Sequence, residues 1–93
     1  MYKAPLDDMQ FLIDDVCQAG ARLGGLPRFE GLEVGTDLTT ALLEEASKLA
    51  ADVVAPLRRV GDQQPARCAD GAVTIPPGYG DAIRALGDGG WVG

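Results

Sequence analysis

Between Thr36 and Asp62 the chain carries more apolar residues than a helix lying on a surface can use. Leu38, Leu42, Leu43, Ala46, Leu49, Ala50, Val53, Val54 and Leu57 recur with helical spacing. They spread over an arc of roughly 160°, where a one-sided stripe needs about 100°. Such a helix is expected to be sandwiched between neighbours. Its wet side carries Glu44, Glu45, Lys48, Asp52 and Arg58. Glu44 and Lys48 stand in the favourable i,i+4 order. Charges so placed make a solvated face, not a paired-carboxylate site. Thr36 or Asp37 is the expected N-cap. Pro56 has no N–H and kinks or ends a helix. Leu57 and Val60 keep the same face, so a kinked continuation towards Asp62 is expected. Arg58 and Arg59 would then complement the dipole at the helix end.

Upstream, Pro5 precedes a helix expected over Asp7 to Ala19, with Asp7 and Asp8 in its first turn, where the dipole favours acids. Met9, Leu12, Ile13, Val16, Cys17 and Ala19 share one face, and Asp14, Asp15 and Gln18 the other. Phe11 projects among the acids, so it is expected to be exposed, either as an ordinary surface aromatic or as a docking contact. Gly20 to Gly35 is glycine-rich and holds Pro27. Leu23, Leu26, Phe29 and Leu32 recur every third residue there, which suits a helical turn within a loop.

Downstream, Gln63 to Pro77 reads as a linker with one hairpin signal. Asp70-Gly71 separates Arg67-Cys68-Ala69 from Ala72-Val73-Thr74-Ile75. A two-stranded ribbon of this kind is marginal alone. A last helix is expected from Gly78 to Leu86, burying Tyr79, Ala82, Ile83 and Leu86. The terminal run Gly89-Gly90-Trp91-Val92-Gly93 has no polar tail. It reads as an uncapped tryptophan in a chain cut at a glycine turn ahead of its next element.

Ninety-three residues make one small domain. A chain of this length buries only about 60–65% of its unfolded surface. Aromatics are limited to Tyr2, Phe11, Phe29, Tyr79 and Trp91, so the core must come from Leu, Val, Ile and Ala. The net charge of −6 argues against nucleic acid and against an anionic membrane surface. No run of about 18 apolar residues occurs, and the acidic N-terminus is no signal peptide. A cytoplasmic location is the expectation. Cys17 and Cys68 are the only cysteines, and histidine is absent. That leaves no metal constellation and makes Cys17, on the apolar face, a buried inert thiol.

The chain spells out no catalytic constellation. Without histidine, and with Ser47 as the only serine, no Ser-His-Asp or Cys-His unit can form. Asp14 and Asp15 are adjacent, so their side chains diverge by about 100° on a helix. Gly87-Asp88-Gly89-Gly90-Trp91-Val92 begins like a dinucleotide-binding fingerprint, but its sixth residue is Val and no strand precedes it. A turn after a helix explains those glycines. No catalytic, cofactor-binding or metal-ligating residue is therefore assigned.

Taken in order, several short stretches resemble one family. Tyr2-Lys3-Ala4-Pro5-Leu6-Asp7-Asp8-Met9-Gln10-Phe11-Leu12 is similar to the leader of one branch of the FAD-dependent acyl-CoA dehydrogenases. Leu42-Leu43-Glu44-Glu45-Ala46, Val54-Ala55-Pro56-Leu57 and Arg59-Val60-Gly61-Asp62 resemble that branch's proline-containing helix. Thr74-Ile75-Pro76-Pro77-Gly78-Tyr79 and the terminal glycine turn resemble the helix and turn that come next in that branch. The resemblance implies an N-terminal helical domain, whose parent has a middle β-domain and a C-terminal four-helix bundle. In the parent, FAD and the acyl-CoA thioester sit between those last two, and a C-terminal glutamate removes the α-proton as hydride passes to the flavin. None of these residues falls in 1–93, and no glutamate here takes that role.

The expectation is thus an all-α domain of about three main helices, with a minor β-ribbon between the second and third. Residues 1–35 form the leader helix and loop, 36–62 the main helix, and 63–93 the ribbon, short helix and glycine-rich turn. The parent would oxidise an acyl-CoA to the 2,3-enoyl-CoA with FAD as acceptor. The chain alone would be structural, inactive and flavin-free. Its partners would be the parent's remaining domains and, as a homo-oligomer, other copies. The alternative is a free-standing helical module for protein–protein interaction or self-association.

Overall fold

The computed structural model describes residues 1–92 and is mainly helical, with one antiparallel two-stranded ribbon. The chain divides into two compact units. One comprises Lys3–Lys48; the other comprises Met1–Tyr2 with Leu49–Gly93.

In the first unit, α1 (Leu6–Phe11) leads straight into a π-helical turn, Leu12–Val16. The Cys17 N–H donates to the Leu12 carbonyl at 2.8 Å, five residues back. One extra residue in the turn rotates everything after it. The half-buried face runs through Met9, Gln10, Ile13 and Asp14, while Leu12, Val16 and Cys17 are exposed. This corrects two expectations: Asp14 is not on the wet side, and Cys17 is not buried. Phe11 is exposed, as its position among the acids implied.

Gln18 then adopts a left-handed conformation (φ 49°), so the first helix stops short of Ala19, and α2 (Ala19–Gly24) forms where no more than one helical turn within a loop was expected. Glycine is a poor helix former, and α2 holds both Gly20 and Gly24. Gly20 is required for another reason: a Cβ there would collide with the Val34 carbonyl oxygen. The three-residue repeat beyond it is real backbone geometry. Leu26 N–H donates to Leu23, Phe29 N–H to Leu26 and Leu32 N–H to Phe29, each at 3.0 Å. The middle of this run is a 3₁₀ turn, Pro27–Phe29. Its apolar side chains cover less than expected, since Leu26 and Leu32 are exposed.

The main helix begins with α3 (Thr36–Leu49). Its N-cap is Gly35, not Thr36 or Asp37: the Gly35 carbonyl accepts from the Thr39 N–H at 3.1 Å, the first bond of the helix. The ion pair on its outer face also differs from expectation. Lys48 Nζ reaches Glu45 at 2.7 Å, one position closer than Glu44. Leu43, Ala46 and Leu49 are half-buried, but Leu38 and Leu42 stand exposed, so the helix is covered on one side rather than sandwiched.

The second unit opens on another π-helical turn, Ala50–Val54, where the Ala55 N–H reaches the Ala50 carbonyl at 2.7 Å. Its position is explained by Pro56. A proline ring clashes with the carbonyl four residues back, here Asp52, and a widened turn makes room for it. The chain stays helical across Pro56 (φ −61°, ψ −24°) and continues as α4 (Leu57–Gln63). The helical continuation towards Asp62 is thus present. Arg58 and Arg59, however, lie in the first turn of α4 and not at its C-terminal end.

The ribbon forms where Asp70-Gly71 placed it. Strands β1 (Arg67–Ala69) and β2 (Ala72–Thr74) pair antiparallel, Cys68 opposite Val73. Asp70 (φ 51°) and Gly71 (φ 78°) both have positive φ, the demand of a type I′ hairpin. Pro77 and Gly78 then occupy the centre of a turn closed by the Tyr79 N–H on the Pro76 carbonyl. Gly78, at φ 86°, supplies the positive φ of a type II turn. From it α5 (Tyr79–Asp88) runs two residues beyond the expected end.

Its termination corrects the expectation for Trp91. Gly90 (φ 75°) donates to Gly87 at 3.1 Å, and the Trp91 N–H donates to Leu86 at 3.0 Å. These two bonds around a left-handed glycine make a Schellman cap. Trp91 is the residue that completes the cap, and it does not stand uncapped.

Candidate functional site

Among the described residues only Ala82 is buried, at 6% exposure. It lies on α5, at the floor of a groove in the second unit. Val54, Leu57, Arg58, Tyr79, Ile83 and Leu86 line it as well. The sequence placed Tyr79, Ala82, Ile83 and Leu86 on a single buried face. The structure keeps them on one face but leaves it open, with Ile83 66% exposed and Val54 44% exposed.

One side chain ties the two helices of the groove together. The Tyr79 hydroxyl donates to the Leu57 carbonyl at 3.2 Å, tying α5 to α4 across 22 residues of sequence. That hydroxyl sits against Gly61, where any Cβ would collide with it. Leu57 in turn packs against Gly78, at 2.8 Å from where a Cβ would stand. Gly61 and Gly78 therefore admit the close approach that defines the groove.

The first unit holds a polar cluster that sequence reasoning missed. Gln10 Nε2 donates to Asp14 Oδ2 and to Thr39 Oγ1, both at 2.6 Å, and its Oε1 accepts from the Thr40 hydroxyl at 3.1 Å. The amide thus uses both hydrogens and its oxygen, and the reversed orientation would point its oxygen at a carboxylate. Thr39 Oγ1 also lies 3.1 Å from the Thr36 carbonyl, its nearest backbone acceptor. The cluster locks α1 against the first turns of α3. Gln10 and Asp14 are an i,i+4 pair, which is the available signal. Regular helical periodicity hides it by putting Asp14 on the solvent face.

Among the described residues no buried side-chain nitrogen or oxygen, in this cluster or elsewhere, lacks a hydrogen-bond partner. Ser47 lines a shallow depression with Lys3, Pro5, Asp7 and Asp8. Both thiols are exposed and free. No group of three or more His, Cys, Asp or Glu residues is arranged to hold a metal among the described residues. No helix among them is long and apolar enough to cross a membrane.

The glycine run at the C-terminal end of α5 offers nothing to a phosphate. The N–H groups of Gly89, Gly90 and Trp91 are all spent on the carbonyls of Ala85, Gly87 and Leu86. A phosphate loop needs free N–H groups at a helix N-terminus. This is a C-terminus, whose partial charge is negative. This glycine run is therefore not the phosphate-binding part of a flavin site.

No family model matches the chain. Among curated proteins, it is similar to the 3-methylmercaptopropionyl-CoA dehydrogenase of Ruegeria pomeroyi, at 34% identity over 94 residues. The match covers 97% of this chain and 15% of that enzyme, so the chain spans less than a sixth of the relative's length. The resemblance carried by the leader and the proline-containing helix thus has a counterpart in an alignment over nearly every residue. By sequence, the chain is a homologue of part of an acyl-CoA dehydrogenase.

Proposed function

We propose that this chain is the N-terminal helical segment of a FAD-dependent acyl-CoA dehydrogenase and serves that enzyme as scaffold. The observation that carries this is the pairing of 97% coverage of the chain with 15% coverage of the relative. A segment alignable throughout, yet so small a part of a dehydrogenase, is one portion of a larger catalytic protein. The open apolar groove on α5 and the exposed Leu38 and Leu42 on α3 support it, since a segment evolved against neighbours keeps faces meant for them.

The parent would convert an acyl-CoA thioester to its 2,3-enoyl-CoA, with FAD taking the hydride. The residues of this chain contribute no step of that chemistry. Their part is mechanical: α3, α4 and α5 present packed helical surface that helps exclude water from the reacting centre. The name of the relative points to a short acyl-CoA carrying a thioether as one substrate of the parent. Assembly of the parent as a homo-oligomer in the cytoplasm belongs to the same proposal.

The test is flavin content. The isolated 93-residue chain, purified with excess FAD and desalted, should be colourless and retain no stoichiometric flavin. A yellow chain holding equimolar FAD would overturn the assignment of scaffold. The alternative, a free-standing interaction module, would be favoured by a reading frame that encodes nothing beyond this segment.

A further inference from the structure

We propose that Asp70 is a site of spontaneous backbone isomerisation, converting to isoaspartate through a cyclic imide with Gly71, while the second Asp-Gly pair of the chain, Asp88-Gly89, is shielded from the same reaction. This inference stands on the ribbon and on the end of α5, and it does not depend on the dehydrogenase reading.

The chemistry is intramolecular and needs no co-reactant but water. The Gly71 backbone nitrogen attacks Cγ of the Asp70 carboxyl group. The new N–Cγ bond closes a five-membered ring, and the carboxyl hydroxyl leaves as water with the amide proton. Water then opens the ring. Cleavage of the N–Cγ bond restores aspartate. Cleavage of the bond from that nitrogen to the Asp70 main-chain carbonyl leaves isoaspartate, with the chain running through Cγ and the α-carboxylate free. Glycine hinders such an attack least, because it has no Cβ.

Two Asp-Gly pairs occur in the sequence, and the structure treats them differently. Asp70-Gly71 joins two strands of three residues, each exposed along its length. A two-stranded ribbon of that size is marginal, so its turn opens at little cost and lets Cγ reach the nitrogen. The Gly71 N–H has no backbone acceptor among the described residues. Nothing lies within 4 Å of where a Gly71 Cβ would stand, so the ring has room to close.

Asp88-Gly89 is the opposite case. Asp88 is the last residue of α5, and the Gly89 N–H donates to the Ala85 carbonyl at 3.0 Å. The Trp91 indole lies 2.9 Å from where a Gly89 Cβ would stand, closing that side. Attack by the Gly89 nitrogen first requires the helix cap to break and the indole to move. At Asp70 the product also has a structural consequence. Isoaspartate adds one methylene to the main chain, so a two-residue type I′ turn no longer fits between the paired strands. The pairing of Cys68 with Val73 should be lost with it.

The experiment ages the 93-residue chain at neutral pH and physiological temperature, folded and in denaturant. Isoaspartate is located by electron-transfer fragmentation of its peptides and counted by methyl transfer from S-adenosylmethionine with an isoaspartate carboxyl methyltransferase. In the folded chain the product should form at position 70 at least about fivefold faster than at position 88, and the two rates should converge in denaturant. Asp70→Asn should speed the reaction at position 70, with ammonia leaving in place of water. Asp70→Glu, which would need a six-membered ring, should stop it. Gly90→Ala strains the cap and should raise the rate at Asp88 alone. Isoaspartate at Asp88 as fast as at Asp70 in the folded chain, or none at Asp70, overturns the proposal. So does a difference that persists in denaturant, since it would then come from neighbouring residues and not from the fold.

Discussion

The Tyr79 hydroxyl and Gly61 occupy space that admits only one of two things, a phenolic oxygen or a Cβ. The hydroxyl reaches past Gly61 to donate to the Leu57 carbonyl at 3.2 Å. A glycine inside a helix is unfavourable by about 1 kcal/mol relative to alanine. Here it is required by an aromatic residue further along the chain. Gly61→Ala should destabilise the chain by about 1–3 kcal/mol despite the better helix propensity. Tyr79→Phe should cost about 0.5–1.5 kcal/mol. The double variant should lose less than the sum, because removal of the oxygen relieves the worst collision. Urea midpoints of the four proteins check this; strict additivity would contradict it.

Gln10 is the hub of the polar cluster, with its amide bonded to Asp14, Thr39 and Thr40. Gln10→Glu replaces its donor with a carboxylate beside Asp14. The variant should be destabilised by about 1–3 kcal/mol at neutral pH. Part of that loss should return on acidification, since two facing carboxyl groups can then share a proton. Thermal melts at neutral and acidic pH give the comparison. A loss that grows on acidification would show that the two carboxyl groups do not meet.

Lys48 has its pKa raised, first by the hydrogen bond to Glu45 and then by the Coulombic attraction of that carboxylate. A raised lysine pKa contributes stability that is fully present below the usual value of 10.5 and disappears as pH rises through the folded value. Both side chains are well exposed, so salt should erase most of it. Titration of Lys48 by NMR should give a clearly lower pKa in Glu45→Gln and little change in Glu44→Gln. The reverse pattern would restore the i,i+4 pair expected from spacing.

Gly90 holds the left-handed position of the cap at the end of α5. Gly90→Ala should cost about 1–2 kcal/mol, the penalty of a Cβ in that conformation. Gly87→Ala, at an ordinary helical position with open space around it, should be neutral or stabilising. Equal effects at the two positions would show that the cap contributes nothing.

How much of the fold is legible in the sequence depends on how local each signal is. The Asp70-Gly71 hairpin and the helical path across Pro56 depend on a few adjacent residues, and both are present. The buried face of the first helix follows the hydrogen bonds of Gln10 and Asp14 to α3, which no periodicity announces, and so regular spacing puts Asp14 and Cys17 on the wrong sides. The start of α3 escapes the usual cap signals because Gly35 caps it through its carbonyl alone. Trp91 reads as stray because a Schellman cap is written in φ angles, not in side-chain chemistry. The groove residues are legible as one face of α5. That this face stays open is not, because burial depends on what packs against a face and not on its own residues.

The most direct measurement takes the protein of the complete reading frame and tracks acyl-CoA oxidation with a dye acceptor while its flavin is quantified. Equimolar FAD and accumulation of the 2,3-enoyl-CoA are the expected result, with neither seen for residues 1–93 alone. A frame confined to this segment, or a full-length protein that binds no flavin and oxidises no acyl-CoA, would contradict the assignment to a dehydrogenase scaffold.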